Sequence, residues 1–314
     1  MTAQHTVSAR AWWLYAALAV LWGIPYLFIS VTVETISPAG MVAGRTLIGA
    51  LILLPVAIRR GALRAAFKRW PWVLLFGAIE MAGPFLLLGH AEQTLPSGLT
   101  GLLVATVPLF GAIIAFFGGD RGMLRPVRLA GLIIGFAGVA IIVGGPGLAA
   151  GGTQALIAIG EVLLVAVCYA TAPFVVAHKL QGVPALGSVT ISLAAVGLFY
   201  LPIGLLTQHG VPSVRSAVSL LALAVFCTAL AFIAFFALIE QVGPARAPLF
   251  TYVNPIVAIV LGALVLGEPL TLGLLIGFPI VLVGCWLAAT GGVLRPRPPS
   301  TLTPPSDLSQ LPHS

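Results

Sequence analysis

The sequence predicts an all-α integral membrane protein of ten transmembrane helices, arranged as two five-helix repeats of opposite topology. Three observations carry that reading. Of 314 residues, 60% are hydrophobic and 7% charged, whereas a soluble domain holds about 25% charged residues. The apolar residues also fall in long blocks, near the ~20 residues that cross a ~30 Å hydrocarbon core. Finally, "AEQTLPSG" at 91–98 returns as "IEQVGPAR" at 239–246, with Glu92 and Glu240 separated by 148 positions.

The blocks follow in order, each bounded by polar, proline or glycine breaks. The first, 11–33, opens after Arg10. It exceeds the 7–15-residue core of a signal peptide and lacks a small-residue cleavage site, so it is read as a span. The next four are 38–58, 71–91, 97–117 and 126–144; the second unit repeats them as 155–177, 185–207, 216–239, 246–266 and 271–292. Short alternating segments, the mark of a membrane barrel, do not occur. The expected organisation is a cytoplasmic N-terminus at 1–10, a first unit at 11–145, a linker at 146–154, a second unit at 155–292 and a disordered cytoplasmic tail at 293–314. That tail is rich in proline and serine and has no apolar periodicity.

Lys and Arg test the count of helices, because a missed span scrambles their alternation between loops. With the N-terminus inside, the cytoplasmic segments hold 13 of the 15, among them Arg59, Arg60, Arg64, Lys68 and Arg69 between the second and third spans. The outer loops hold only Arg215, and Arg45 lies within a span. A multi-pass protein of the cell membrane with both termini cytoplasmic follows. The same scatter, with no basic stripe interleaved with aromatics, argues against nucleic acid as the meaning of the +7 net charge.

The repeat extends past the opening phrase. Pro25 matches Pro173, Pro38 matches Pro184, Pro55 matches Pro202 and Pro96 matches Pro244. Pro108 matches Pro255, Asp120 matches Glu268, and Gly131, Gly138 and Gly145 match Gly277, Gly284 and Gly291, always 146 to 148 positions apart. Five is odd, so the second unit enters the membrane from the other side, as in many secondary transporters. Two GxxxG pairs, Gly131–Gly135 and Gly273–Gly277, mark the last helix of each unit as a close-packing face, used within one chain or in a homodimer.

Four stretches, "LWGIPYLFI", "SPAGMVAGRTLIGALILLP", "AEQTLPSGLTGLLVATVPLFGAIIAFFGGD" and "YVNPIVAIVLGALVLGEPLTLGLLIGFPIVLVG", resemble the ten-helix drug/metabolite transporter superfamily with paired EamA-type domains. The resemblance covers roughly 11–292 and implies transport of a small organic metabolite, amino acid or drug. Asp120 with Arg121 departs from the Gly-Glu usual there, which makes that acid a loop feature.

Ionisable residues within spans face the bundle interior or a wet cavity. Three lie inside: Arg45 in the second span, Glu80 in the third and Glu161 in the sixth. At ~1.5 Å per residue, Arg45 and Glu161 sit about 10 and 9 Å below the outer boundary and Glu80 about 16 Å. Arg45 is therefore expected to pair with Glu161 and to reach toward Glu80. One cation and two acids leave a carboxylate unpaired, and such a group takes up a proton rather than hold charge in apolar surroundings. These residues are the candidates for the substrate pathway or its coupling, together with Trp22, Tyr26, Tyr169, Tyr252 and Asn254. Pro25, Pro173 and Pro255 are expected to break their helices there, freeing carbonyls at the interface between repeats.

The remaining polar and aromatic residues receive plainer readings. Trp12, Trp13, Trp70 and Trp72 fall at membrane boundaries as interfacial anchors. His90 is interfacial and His178 solvated, while Glu92 and Glu240 serve capping and hinge contacts. Cys168, Cys227 and Cys285 are small core residues. No metal site, cofactor motif or P-loop is present. The function these features predict is secondary transport by alternating access, outward and proton-coupled, of a small-molecule substrate within the lipid bilayer. The alternatives are an intramembrane enzyme using Glu80, Glu161 and His90 as acid/base groups on a lipid-linked substrate, and a receptor that binds without transporting.

Overall fold

The computed structural model describes residues 8–119, 121–144, 152–243 and 247–291. The expectations for the tail, for Asp120, for Arg246 and for most of the linker lie outside them. Among the described residues every regular element is helical, and ten helices are long and apolar enough to cross a membrane. They are α1 Ala9–Val33, α2 Pro38–Arg59, α3 Trp70–Ala91, α4 Ser97–Phe117 and α5 Pro126–Val143, then α6 Gly152–Lys179, α7 Ala185–Thr207, α8 Val214–Val242, α9 Ala247–Val265 and α10 Leu272–Thr290. Four begin at a Ser or Thr whose hydroxyl accepts a first-turn N–H: Ser8, Ser37, Ser213 and Thr271.

Prolines act in two ways. The helical run of α1 stops at Leu21 and resumes at Pro25, and Gly23 explains why it opens there. A Cβ at Gly23 would lie 2.5 Å from the Val257 side chain, so α9 approaches the α1 backbone as only glycine allows. α4 is likewise interrupted between Val104 and Val107, ahead of Pro108, and α9 changes from a 3-10 turn, Ala247–Tyr252, to an α-helix at Asn254, ahead of Pro255. Pro173 corrects the sequence expectation, because α6 runs unbroken through it. No glycine flanks Pro173, and Thr171 donates to the Val167 carbonyl at 2.7 Å within the same turn.

Equivalent helices of the two units pack on each other: α2 on α7, α4 on α9 and α5 on α10, while α1 lies on α8 and α3 on α6. Each equivalent pair runs antiparallel. Along α5, Gly131 meets Ala288, Gly135 meets Gly284 and Gly138 meets Val281 and Gly277, so numbers rise on one helix as they fall on the other. On α2 and α7, Gly40 abuts Gly204 and Gly49 abuts Leu193; on α4 and α9, Gly98 abuts Ile259 and Gly101 abuts Ala258. Both predicted GxxxG faces are thereby occupied within the chain, with α5 and α10 backbone to backbone.

Two local departures were not legible in the sequence. α3 contains a π-helical segment at Ala78–Ala82 and α8 one at Val225–Leu230, at equivalent places in the two units. In α3 the Gly83 N–H reaches Ala78 O, five residues back. In α8 the Thr228 hydroxyl donates to Leu223 O, also five back. Such widened turns leave a carbonyl without its usual partner. Tyr200 on α7 donates to Ala82 O at 3.2 Å, and Trp22 on α1 donates to Cys227 O at 3.2 Å.

Candidate substrate cavity

The broken and widened turns surround a cavity of about 490 Å³ between the two units, within the size range of small-molecule sites. Its wall takes Trp22, Pro25 and Tyr26 from α1, Arg45 from α2, Glu80 and Phe85 from α3, Tyr169 from α6, Cys227 and Phe232 from α8, and Tyr252, Asn254 and Pro255 from α9. Nine of the eleven residues singled out in the sequence therefore lie on one surface. Glu161 and Pro173 do not line it.

Among the described residues Arg45 is the only lysine or arginine on this wall, and it is held by neutral groups. Its Nε donates to Thr228 Oγ1 at 2.9 Å, and its guanidinium stands 3.8 Å from the centre of the Phe85 ring. A cation over an aromatic face is attracted by the ring's negative face, more strongly where water is excluded, and Arg45 is only 5% exposed. Thr228 in turn donates to Leu223 O at 3.1 Å, so one hydroxyl of the widened turn of α8 both accepts from Arg45 and donates to its own helix.

The expected Arg45–Glu161 pair does not form. Glu161 instead meets His90, with Oε2 and Nδ1 2.8 Å apart. Depth alone placed Arg45 and Glu161 at one level, but depth says nothing about which way each helix turns its side chains. Glu161 faces α3 and Arg45 faces α8. The three groups that an acid/base enzyme would need are consequently split, with Glu80 on the cavity wall and the His90–Glu161 pair away from it.

Glu80 sits on the π-helical segment of α3 and lines the cavity. Among the described residues it has no hydrogen-bond or ion-pair partner, Arg45 included. Among the described residues the cavity wall thus carries one cation and one carboxylate that do not pair, on a surface otherwise uncharged and mostly aromatic and aliphatic. Trp22 is fixed by its bond to Cys227 O and by rings at 5.6, 5.1 and 5.3 Å: Phe232, Phe235 and Phe250. With its amide nitrogen turned toward them, Asn254 donates to Ala19 O and Phe250 O, tying the break in α9 to the one in α1.

Sequence reasoning missed Thr228, Phe85 and Glu268. Thr228 carried a signal, as a hydroxyl within the apolar run "VFCTALAF". Glu268 accepts from Ser97 N at 2.6 Å and Gly98 N at 2.9 Å, so the first turn of α4 is capped from the distant end of α9. Glu92 caps the end of α3 through its main chain, its N–H donating to Leu88 O at 3.0 Å, while its carboxyl group is buried and neither oxygen accepts a hydrogen bond. Glu240 is exposed and pairs with Arg60 at 3.4 Å. Of the interfacial tryptophans, Trp12, Trp13 and Trp70 are exposed, whereas Trp72 lies under Lys179, whose Nζ is 4.6 Å from the ring centre.

Residues 10–144 and 156–290 each match the EamA-like transporter family, so the family pattern is present twice. The chain is 30% identical over 283 residues to the uncharacterized transporter YvbV of Bacillus subtilis, covering 88% of this chain and 90% of the relative. It is 27% identical to the uncharacterized inner membrane transporter YedA of Escherichia coli K12, over 90% of this chain and 92% of that one. A probable terminal-alkyne amino-acid exporter of Streptantibioticus cattleyicolor is 25% identical, over 92% and 94%. A solved crystal structure shares the fold at a TM-score of 0.63 with 21% identity, covering 88% of this chain and 96% of that one. With two full copies of the family pattern and a ten-helix bundle around a central cavity, this chain belongs to the EamA-like transporter family.

Proposed function

We propose that the protein is a secondary active transporter that exports a small organic solute by alternating access, with Glu80 as a proton-carrying acid in the cycle. The observation that carries this reading is the cavity: it lies between two family-matched units and holds a separated cation and unpartnered carboxylate among aromatic rings. Antiparallel packing of α2 on α7, α4 on α9 and α5 on α10 supports an inverted-topology repeat, in which each unit adopts the other's conformation as the cavity changes sides.

The wall chemistry favours a solute with an apolar body and one or two polar ends, of which a free amino acid is the simplest. Arg45 suits a carboxylate and Glu80 an ammonium group. The relative named as a probable terminal-alkyne amino-acid exporter supports the same class. A proton on Glu80 neutralises its charge when no cationic group is present, and release of that proton makes way for one.

The test is flux in proteoliposomes loaded with a panel of amino acids and amphipathic drugs, with and without an imposed pH gradient. Gradient-stimulated flux is expected for wild type and is lost in Glu80→Gln, while counterflow of the same solute persists. Absence of flux for every solute in the panel, with specific binding retained, would point to the receptor reading instead.

A further inference from the structure

A second unpartnered carboxylate lies outside the cavity, where the connector after α3 meets the end of α9. Glu92 follows the last residue of α3 and is 5% exposed, and both of its carboxyl oxygens are buried without a hydrogen-bond partner. Glu268 is near enough to act on it electrostatically, and its own oxygens are occupied by the Ser97 and Gly98 amides. Those are the bonds a carboxylate makes at a helix N-terminus, where the exposed N–H groups and helix dipole favour negative charge. The Ser97 hydroxyl, also buried, has no partner. The fit leaves little room: a Cβ at Gly262 would lie 2.3 Å from Glu268 Oε2 and 2.9 Å from Ser97 Oγ.

Glu268 takes both amides, and neither bonds Glu92. The charged and titratable groups that face Glu92 are Glu268 from the end of α9, Arg45 from α2 and the Tyr26 phenol from α1, with the Ser30 main chain alongside. Burial and the like charge of Glu268 disfavour a negative Glu92; Arg45 and the Ser30 main chain favour it. The first two prevail, and burial foremost pushes the Glu92 carboxyl well above the usual carboxylate range.

We propose that Glu92 is a proton-binding site separate from the substrate cavity, and that Arg45 communicates its protonation state to the cavity. The two parts are joined by the last turns of α3: the Glu92 N–H donates to Leu88 O, Leu88 lines the cavity, and Arg45 stands over the Phe85 ring of the same helix, within electrostatic reach of Glu92. Protonating Glu92 removes a negative charge that partly offsets Arg45, so the cavity becomes more attractive to an anionic group on a solute. By linkage, a solute anion at Arg45 then draws a proton onto Glu92. Only this last consequence rests on the transporter reading; the proton site stands without it.

The test uses the full-length protein in lipid nanodiscs and pH-difference infrared spectroscopy, with no solute present. At neutral pH a carboxylic-acid C=O band is expected with a component that Glu92→Gln removes, Glu92→Asp restores and Glu80→Gln leaves in place. Arg45→Gln shifts the titration midpoint of that component to higher pH, because a favourable positive charge is gone, and Arg45→Lys leaves it where it was. A band unchanged by Glu92→Gln overturns the site. Bleaching of the component by sodium chloride, but not potassium chloride, at fixed pH overturns it in favour of a metal cation. A midpoint indifferent to Arg45→Gln overturns the link to the cavity. None of these outcomes depends on flux, so failure of the transport assay and failure of the proton site are read separately.

Discussion

Arg45 is satisfied by a hydroxyl and a ring, and that arrangement predicts how the site fails. Thr228→Val keeps the volume but leaves the buried Nε–H without an acceptor, and an orphaned donor of this kind costs about 1–3 kcal/mol. A lower melting temperature in detergent is expected for Thr228→Val and a near-native one for Thr228→Ser; equal melting of the two would show that the hydroxyl is not what holds Arg45. Glu92 makes a second prediction with a definite sign. Its folded-state carboxyl titrates above the ordinary 4.5, so in the window above that value the folded chain keeps a proton that the unfolded chain has released. Its contribution to stability is full below the unfolded value and is lost as pH rises through the folded one. Melting curves collected from acidic to alkaline pH should therefore fall for wild type and fall less steeply for Glu92→Gln; parallel curves would count against a raised Glu92. Single residues were legible in the sequence to different degrees. Counting along helices put Arg45 and Glu80 at cavity depth, but the partner of Arg45 depends on helix rotation, which depth does not carry, and so Glu161 was assigned to the wrong neighbour.

The same glycines that marked the repeat also mark where helices touch. A Cβ at Gly284 would lie 2.3 Å from Gly135 N, and one at Gly138 would lie 2.8 Å from Val281 N; in both cases the obstacle is backbone, which cannot swing aside as a side chain does. Overpacking a tight contact costs about 1–3 kcal/mol. Gly284→Ala is expected to lower the melting temperature, while Gly160→Ala, with nothing within 4 Å of its added methyl, should leave it unchanged or raise it slightly. Indifference at Gly284 would mean that α5 and α10 are less closely joined than the structure has them. Prolines show the limit of reading elements from sequence. Pro25 and Pro173 occupy equivalent positions, yet α1 opens and α6 does not, because Gly23 beside the first lets α9 press against the backbone. The π-helical segments were hidden because no shared residue pattern marks them: in α3 Pro84 withholds an amide from the turn, whereas α8 has no proline there and closes its widened turn with the Ala231 N–H on Phe226 O.

Across the whole molecule, two exposed ion pairs mark opposite ends of the bundle. At one end Arg60 pairs with Glu240 at 3.4 Å, joining the connector after α2 to the end of α8. At the other, Arg215 pairs with Glu34 at 3.6 Å, and Gln208 donates to Thr35 O at 2.8 Å, joining the start of α8 and the end of α7 to the end of α1. All four ionic side chains are well exposed, so these pairs contribute little to stability. Their value is diagnostic, because each joins loops that an even helix count with cytoplasmic termini places on one side of the membrane. That fixes a topology experiment. In a chain whose three cysteines have been replaced, Arg64→Cys and His209→Cys introduce thiols at exposed positions on opposite ends. A membrane-impermeant maleimide applied to intact cells is expected to label position 209 and to reach position 64 only after the membrane is opened. The reverse pattern would invert the bundle, placing the Arg59–Arg69 cluster outside against the positive-inside rule. Labelling of both from one side would contradict the odd number of spans, α3 to α7, between the two positions, and with it the antiparallel relation on which exchange of conformation between the two units depends.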